Sequence, residues 1–160
     1  MTPQAEAGFH DTRKIASPIS GQIIPFAQVD DATFAEEMMG KGMAVILDEG
    51  VVYAPFDGTV EALFPTGHAI GLKSECGVQL LIHIGLDTVN LNGQHCTPAV
   101  KNGDSVKVGD VLIRFDLDAI RQAGYDVTTP VIVTNSNDYI DVIGKESVHA
   151  DAMQPLLYVM

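Results

Sequence analysis

The sequence has 160 residues, the size of one ordinary domain, and 46% of them are hydrophobic and 19% charged, as in a globular protein with a buried core. The net charge of −12 argues against DNA or RNA as a ligand, since an acidic chain gains nothing from counterion release, and against adsorption on anionic lipid. The lack of any long apolar run argues against direct membrane insertion. With two cysteines, no apolar leader and no run of about 20 apolar residues, we expect a cytoplasmic protein with reduced thiols.

Residues 1–14 are polar and lack hydrophobic periodicity, which predicts a flexible N-terminal tail before a single domain over residues 15–160. From Ile15 onward, short apolar or β-branched runs alternate with Gly, Pro, Asp and Asn, a pattern typical of an all-β sandwich or barrel. The expected strands are Gln22–Ile24, Met43–Leu47, Thr59–Phe64, Ala69–Lys73, Val78–Ile84, Ser105–Val108, Val111–Asp116, Val131–Val133 and Leu156–Val159.

Helical periodicity is brief and occurs in two places, Ala32–Met39 and Leu117–Ala123. Asp30 or Asp31 is placed to cap the first helical turn, and Asp116 the second, because a carboxylate before a helix accepts hydrogen bonds from its first N–H groups. The chain should therefore be a β-protein with a few short helical turns.

One internal repeat is visible. The sequence SPISGQI at residues 17–23 returns as APFDGTV at residues 54–60. In both copies Pro opens a turn, a small polar residue and Gly supply the bend, and a β-branched residue resumes a strand. This predicts a sheet assembled from similar hairpin units.

Two of the five histidines are candidates for a functional site. If the turn-like segment 74–77 closes a symmetric hairpin, Lys73 faces Val78, and in the same register His68 faces His83. Opposed residues on antiparallel strands have Cβ atoms about 5 Å apart on one face, whereas a slip of one residue would separate them. The other three, His10, His95 and His149, lie in polar segments and are expected on the surface.

The surroundings of this pair favour phosphoryl transfer. His83 lies between Leu80-Leu81-Ile82 and Ile84-Gly85-Leu86, and burial keeps an imidazole neutral, as a nucleophile must be. One ring nitrogen can attack phosphorus while the neighbouring imidazole stabilises the charge on the equatorial oxygens. Thr66 is placed to orient His68 through its hydroxyl group, and Asp87 to rim the site and attract a basic partner.

The segment from Gly77 to Val89, GVQLLIHIGLDTV, resembles the phosphorylation-site signature of the glucose-type IIA domain (EIIA-Glc family) of the bacterial phosphoenolpyruvate-dependent sugar phosphotransferase system. The resemblance extends over about residues 15–160. Further family patterns are matched at residues 15–21, 52–60, 64–69, 106–110 and 129–131.

The resemblance implies an antiparallel β-sandwich or barrel of the duplicated hybrid motif kind. It also implies that His83 accepts phosphate from the carrier HPr and passes it to a cysteine on the IIB domain of a sugar permease. His68 would assist as the neighbouring histidine, with Thr66 in the same site. The residues implied to face partners are Phe64, Asp31 and Asp87.

The resemblance requires no cofactor, although some family members bind zinc between the two histidines and a partner's carboxylate, so His68 and His83 are optional zinc ligands. His95-Cys96 and Asn90 depart from the family pattern at its margin, which leaves the choice of partner open.

Two other functions remain as alternatives. A zinc peptidase would need a His-x-His pair with a further His and Asp, and the sequence contains no His-x-His. A regulatory module that binds protein targets through the same histidine face is compatible with the carrier, because phosphorylation changes the charge of that face.

Overall fold

The computed structural model describes residues 13–144 and 148–160. The described strands are β1 Arg13–Ala16, β2 Gly21–Pro25, β3 Lys41–Leu47, β4 Val51–Tyr53, β5 Gly58–Leu63, β6 Ala69–Ser74, β7 Gln79–His83, β8 Cys96–Pro98, β9 Ser105–Val106, β10 Val111–Phe115, β11 Thr128–Val133, β12 Val142–Gly144, β13 His149–Ala150 and β14 Pro155–Val159. The helices are α1 Ala32–Ala35 and α2 Leu117–Gln122, with 3-10 turns at Phe26–Gln28, Thr88–Leu91 and Ser136–Asp138.

The strands form one eight-stranded sheet, in the order β9-β5-β6-β7-β11-β3-β2-β13, and two three-stranded sheets, β4-β10-β8 and β12-β14-β1. All described pairings are antiparallel. Within the described residues the large sheet ends at β9 and β13 without closing on itself, so the predicted antiparallel sandwich is confirmed rather than a barrel. Each of the nine expected strands is present. Most of the predicted tail lies outside the described residues, and its last two positions, 13 and 14, belong to β1.

The eight-stranded sheet repeats its topology about the central β7–β11 pair, where Ile82 faces Val131. From the centre outwards, β7 is followed by β6, β5 and β9 on one side, and β11 is followed by β3, β2 and β13 on the other. The internal repeat of the sequence marks the start of β2 and β5 at Gly21 and Gly58. A Cβ atom at these positions would lie 2.0 Å from the Ile46 carbonyl oxygen and 2.1 Å from that of Lys73, so the close approach of the next strand requires glycine at both.

The two faces of the large sheet are buried against different partners. Leu80 and Ile82 point into the main core, which the smaller sheets close with residues such as Leu112 and Leu156. Alternate residues, such as Leu81 on β7, point to the opposite face. A second cluster covers that face, formed by Ile24, Phe26, Val29, Phe34, Ala44, Ala69, Leu81, Leu86 and Ile132. Each fully buried Leu or Ile contributes about 1.5–3 kcal/mol through burial.

The register of the β6–β7 hairpin differs by one residue from the predicted one. Lys73 pairs with Gln79 and Ala69 with His83, so His83 faces Ala69 rather than His68. The loop contains three residues instead of four, because Ser74 N–H bonds to the Val78 carbonyl at 2.9 Å and Val78 N–H bonds to Ser74 Oγ at 3.0 Å. Gly77, with φ of +97°, takes the last loop position, which is the usual place for glycine in three-residue hairpin loops.

Both predicted helical turns form and are capped as expected. The Asp31 carboxylate accepts a hydrogen bond from Thr33 N–H at 3.0 Å, and Asp116 caps α2 through Ala119 N–H at 3.0 Å. The first helix ends at Ala35 rather than Met39, and Glu37 just beyond has φ of +57°. Among the described residues, no helix has the length and apolar character needed to cross a bilayer.

Candidate functional site

His68 and His83 meet in space although they are not register partners. Their ring centroids lie 4.9 Å apart, with an interplanar angle of 79°. His83 is the last residue of β7, whereas His68 lies one residue before β6 and follows Gly67, which has φ of +71°. Because this bend takes His68 out of the regular pleat, the strict alternation of faces no longer applies to it.

The hydrogen bonding of His83 leaves one ring nitrogen available. Its Nδ1 lies 2.8 Å from the carbonyl oxygen of Gly85. A carbonyl oxygen can only accept, so the neutral ring carries its proton on Nδ1 and its lone pair on Nε2. The side chain is half-buried, and Phe34 of α1 packs against it at a centroid distance of 5.6 Å.

His68 is almost completely buried, with 4% of its surface exposed. Its Nδ1 contacts the hydroxyl oxygen of Thr66, and Phe64 packs edge-on against its ring at 5.5 Å. Burial, together with the nearby charge of protonated His83, lowers the pKa of His68 from 6.5 to about 4. His68 is therefore neutral near pH 7 and presents an uncharged ring to its neighbour.

The residues expected to face partners lie in three different settings. Phe64 is 37% exposed while its ring contacts His68. Asp87 is exposed, immediately after the Gly85 turn, and lines a surface depression of about 350 Å³ with Asp30 and Asp126. Asp31 is half-buried, and its carboxylate is engaged as the cap of α1.

The two imidazoles supply only part of a metal site. Each has its Nδ1 occupied, by Gly85 or by Thr66, which leaves the two Nε2 atoms as ligands. Within residues 13–144 and 148–160, no three His, Cys, Asp or Glu side chains are grouped so that they could hold a metal ion. A tetrahedral zinc ion held by the two Nε2 atoms would need two further ligands. If a partner protein supplied them, the ion would link the partner's surface to this one.

Two groups of the site were not identified from the sequence. Phe34 was predicted only as part of a helical turn, and no local pattern shows that this turn folds over the end of β7. The carbonyl of Gly85 is a backbone group, which side-chain patterns do not reveal. The glycine itself is the available signal, because φ is +68° there and a Cβ atom would lie 2.7 Å from Thr88 Cγ2.

Comparison with known proteins identifies the class of this domain. The family model of the phosphoenolpyruvate-dependent sugar phosphotransferase system, EIIA 1, matches residues 13–139. The fold is similar to that of glucose permease IIA from Mycoplasma capricolum, with a TM-score of 0.85 and 31% identity over 94% of this chain and 97% of that one. The chain therefore belongs to the EIIA 1 family of the phosphoenolpyruvate-dependent sugar phosphotransferase system.

Two curated relatives share about half of their aligned residues with this chain. It is 50% identical over 153 residues to a beta-glucoside-specific EIIBCA component from Dickeya chrysanthemi, covering 96% of this chain and 24% of that protein. It is 51% identical over 125 residues to the component of the same name from Bacillus subtilis (strain 168), covering 78% of this chain and 20% of that protein. The chain therefore spans a quarter or less of the length of these relatives.

Proposed function

We propose that this protein is a phosphoryl carrier that accepts phosphate from phospho-HPr on Nε2 of His83 and donates it to a cysteine of a IIB domain. The observation that carries the proposal is the hydrogen bond of His83 Nδ1 to Gly85, at 2.8 Å, in a half-exposed ring. In the neutral ring, this hydrogen bond leaves the Nε2 lone pair as the nucleophile.

In the first transfer, the Nε2 lone pair forms a bond to phosphorus while the bond from phosphorus to the donor breaks, and the donor keeps that electron pair. In the second, a IIB thiolate attacks the same phosphorus and the bond to Nε2 breaks, which restores neutral His83. Neither step consumes water, so a half-buried site that limits hydrolysis suits the carrier.

We assign His68 the stabilisation of the transferring group. Its ring lies 4.9 Å from that of His83, centroid to centroid, and it is held neutral by burial. If the Thr66 hydroxyl donates to Nδ1, the proton of His68 resides on Nε2 and can be donated to a phosphoryl oxygen. Donors aimed at developing charge in a site with little water are worth far more than in bulk solvent.

The surface around the pair fits a basic partner with an apolar docking face. Phe64 is partly exposed beside His68, and Asp30 and Asp87 line the depression near the Gly85 turn. The overall charge of −12 would steer a carrier with a basic docking face, such as HPr, towards the protein. The relatives named EIIBCA components support a IIB domain as the acceptor, and a beta-glucoside system as the one to test first.

The test is phosphorylation of the purified protein with phosphoenolpyruvate, the general enzyme and HPr, followed by addition of a IIB domain from a beta-glucoside system. We expect one acid-labile phosphate on the wild type and none on His83→Ala. His68→Ala should still be phosphorylated but should pass the group on poorly. A phosphate that persists in His83→Ala would refute the assignment of His83, and normal onward transfer by His68→Ala would refute that of His68.

A further inference from the structure

The turn that follows His83 is held by hydrogen bonds from three directions. The Ile84 carbonyl accepts from the Thr88 hydroxyl group, and Leu86 N–H donates to the Asp126 carbonyl at 2.9 Å. Gly85 N–H donates to the hydroxyl oxygen of Thr129 at 3.1 Å. Both peptide units beside Gly85 are thereby fixed, and its own carbonyl is the group that accepts from His83.

Thr129 is the member of this set that contributes a side chain from a distant part of the chain. It lies on β11, 44 residues beyond Gly85, and is completely buried, with 0% of its surface exposed. Its hydroxyl group donates to the Val127 carbonyl at 3.1 Å, so the lone pairs of the oxygen are directed at Gly85 N–H. Buried hydroxyl groups are costly unless they are hydrogen-bonded, and this one has both a donor and an acceptor.

We propose that Thr129 is a positioning residue for His83: by holding Gly85 N–H it fixes the left-handed turn whose carbonyl keeps the His83 proton on Nδ1. The inference rests on the proposed carrier function and goes beyond it, because it assigns the choice of tautomer to a side chain that touches neither the imidazole nor the phosphate. Without that acceptor the turn keeps only the hydrogen bonds from Thr88 and to Asp126, and the looser turn would let the Gly85 carbonyl shift from the His83 ring, which could then protonate on either nitrogen.

Orientation and tautomer both matter for this nucleophile. A ring protonated on Nε2 has no lone pair there, so the fraction of protein in that tautomer cannot attack phosphorus. When the residue that orients a metal-bound histidine is removed, activity typically falls about 10- to 100-fold. Thr129 contacts Gly85 and not the His83 ring, so we expect the lower end of this range, a loss of about tenfold in the rate of phosphorylation.

The test compares Thr129→Val, which keeps the shape and removes the hydroxyl group, with Thr129→Ser, which keeps the hydroxyl group and removes the methyl group. The tautomer of His83 is read from the ¹⁵N shifts of its ring in the unphosphorylated protein, and the phosphorylation rate is measured with phospho-HPr. We expect Thr129→Ser to resemble the wild type in both. Thr129→Val should show mixed tautomers of His83 and phosphorylation slowed by about tenfold.

Ser136→Ala is the matched control. The Ser136 hydroxyl group is also buried and joins two backbone groups, accepting from Lys41 N–H at 2.9 Å and donating to the Val133 carbonyl at 2.6 Å, but it does not contact the Gly85 turn. Its loss should reduce stability without changing the His83 tautomer. If Thr129→Val does not fold, Thr129→Ser and Thr129→Ala provide the same comparison of hydroxyl groups.

A Thr129→Val protein that keeps the Nδ1–H tautomer and the wild-type rate would overturn the inference, even if it were less stable. The tautomer measurement needs no phosphate, so it decides the role of Thr129 even if the wild type fails to accept phosphate from phospho-HPr. That failure would refute the proposed function, which is thereby tested separately.

Discussion

Because the neutral His68 ring is buried, the free energy of unfolding should fall in acid, and His68→Gln should remove this part of the fall. His68 is 4% exposed, and its pKa falls from 6.5 to about 4 on folding, through burial and then the charge of His83. Between these values the unfolded chain binds more protons than the native one, so the free energy of unfolding must fall as the pH is lowered from 6.5 to about 4. Above pH 7 the effect vanishes.

The magnitude follows from the two pKa values. Proton linkage at His68 should lower the free energy of unfolding by about 0.8 kcal/mol at pH 6, about 2 kcal/mol at pH 5 and about 3 kcal/mol at pH 4. His68→Gln retains an amide that can bond to the Thr66 hydroxyl group but cannot titrate, so it should lack this component.

Urea unfolding of the wild type and His68→Gln, measured from pH 7.5 to pH 4, isolates the effect as the difference between the two proteins. Other acidic and basic groups titrate in both proteins and largely cancel. As the pH falls, we expect the free energy of unfolding of the variant to rise relative to that of the wild type, by about 3 kcal/mol at pH 4. Parallel curves down to pH 4 would refute the claim that His68 is held neutral in the native site.

Three further predictions concern other residues of the protein. Thr66→Val leaves the buried Nδ1 of His68 without its hydroxyl partner and should lower the free energy of unfolding by about 1 kcal/mol, measured by urea unfolding at pH 7.5. Gly85→Ala forces a Cβ atom to 2.8 Å from the Asp126 carbonyl oxygen at φ of +68° and should cost more than about 1 kcal/mol by the same assay. Burial raises the pKa of the Cys96 thiol to about 11, so at pH 8 iodoacetamide should modify exposed Cys76 well before Cys96, and equal rates would contradict this.

The strands could be predicted because each is a short β-branched run bounded by turn residues, as in β6 and β7. The hairpin register could not, since the sequence from Ser74 to Val78 is compatible with loops of three or four residues, and the choice depends on the left-handed conformation of Gly77 and on the Ser74 side chain. The predicted pairing of His68 with His83 was therefore wrong as a register, although the two rings do lie side by side.

The rest of the site depends on contacts between residues distant in sequence. Phe34 reaches His83 because the segment of α1 covers the outer face of the large sheet, and Thr129 reaches Gly85 because β11 lies beside β7. Neither contact leaves a local pattern, since both arise only when the two halves of the sheet pair at their centre. The repeat at residues 17–23 and 54–60 is the trace of that duplication in the sequence, but it does not give the pairing at the centre.

The most direct test of the central claim is the position of the phosphate on the ring. Protein labelled with ¹⁵N-histidine and phosphorylated through the general enzyme and HPr should show coupling of phosphorus to Nε2 of His83, with Nδ1 of the same ring still protonated and bonded to Gly85. Phosphorus on Nδ1 of His83, or on either nitrogen of His68, would contradict the account.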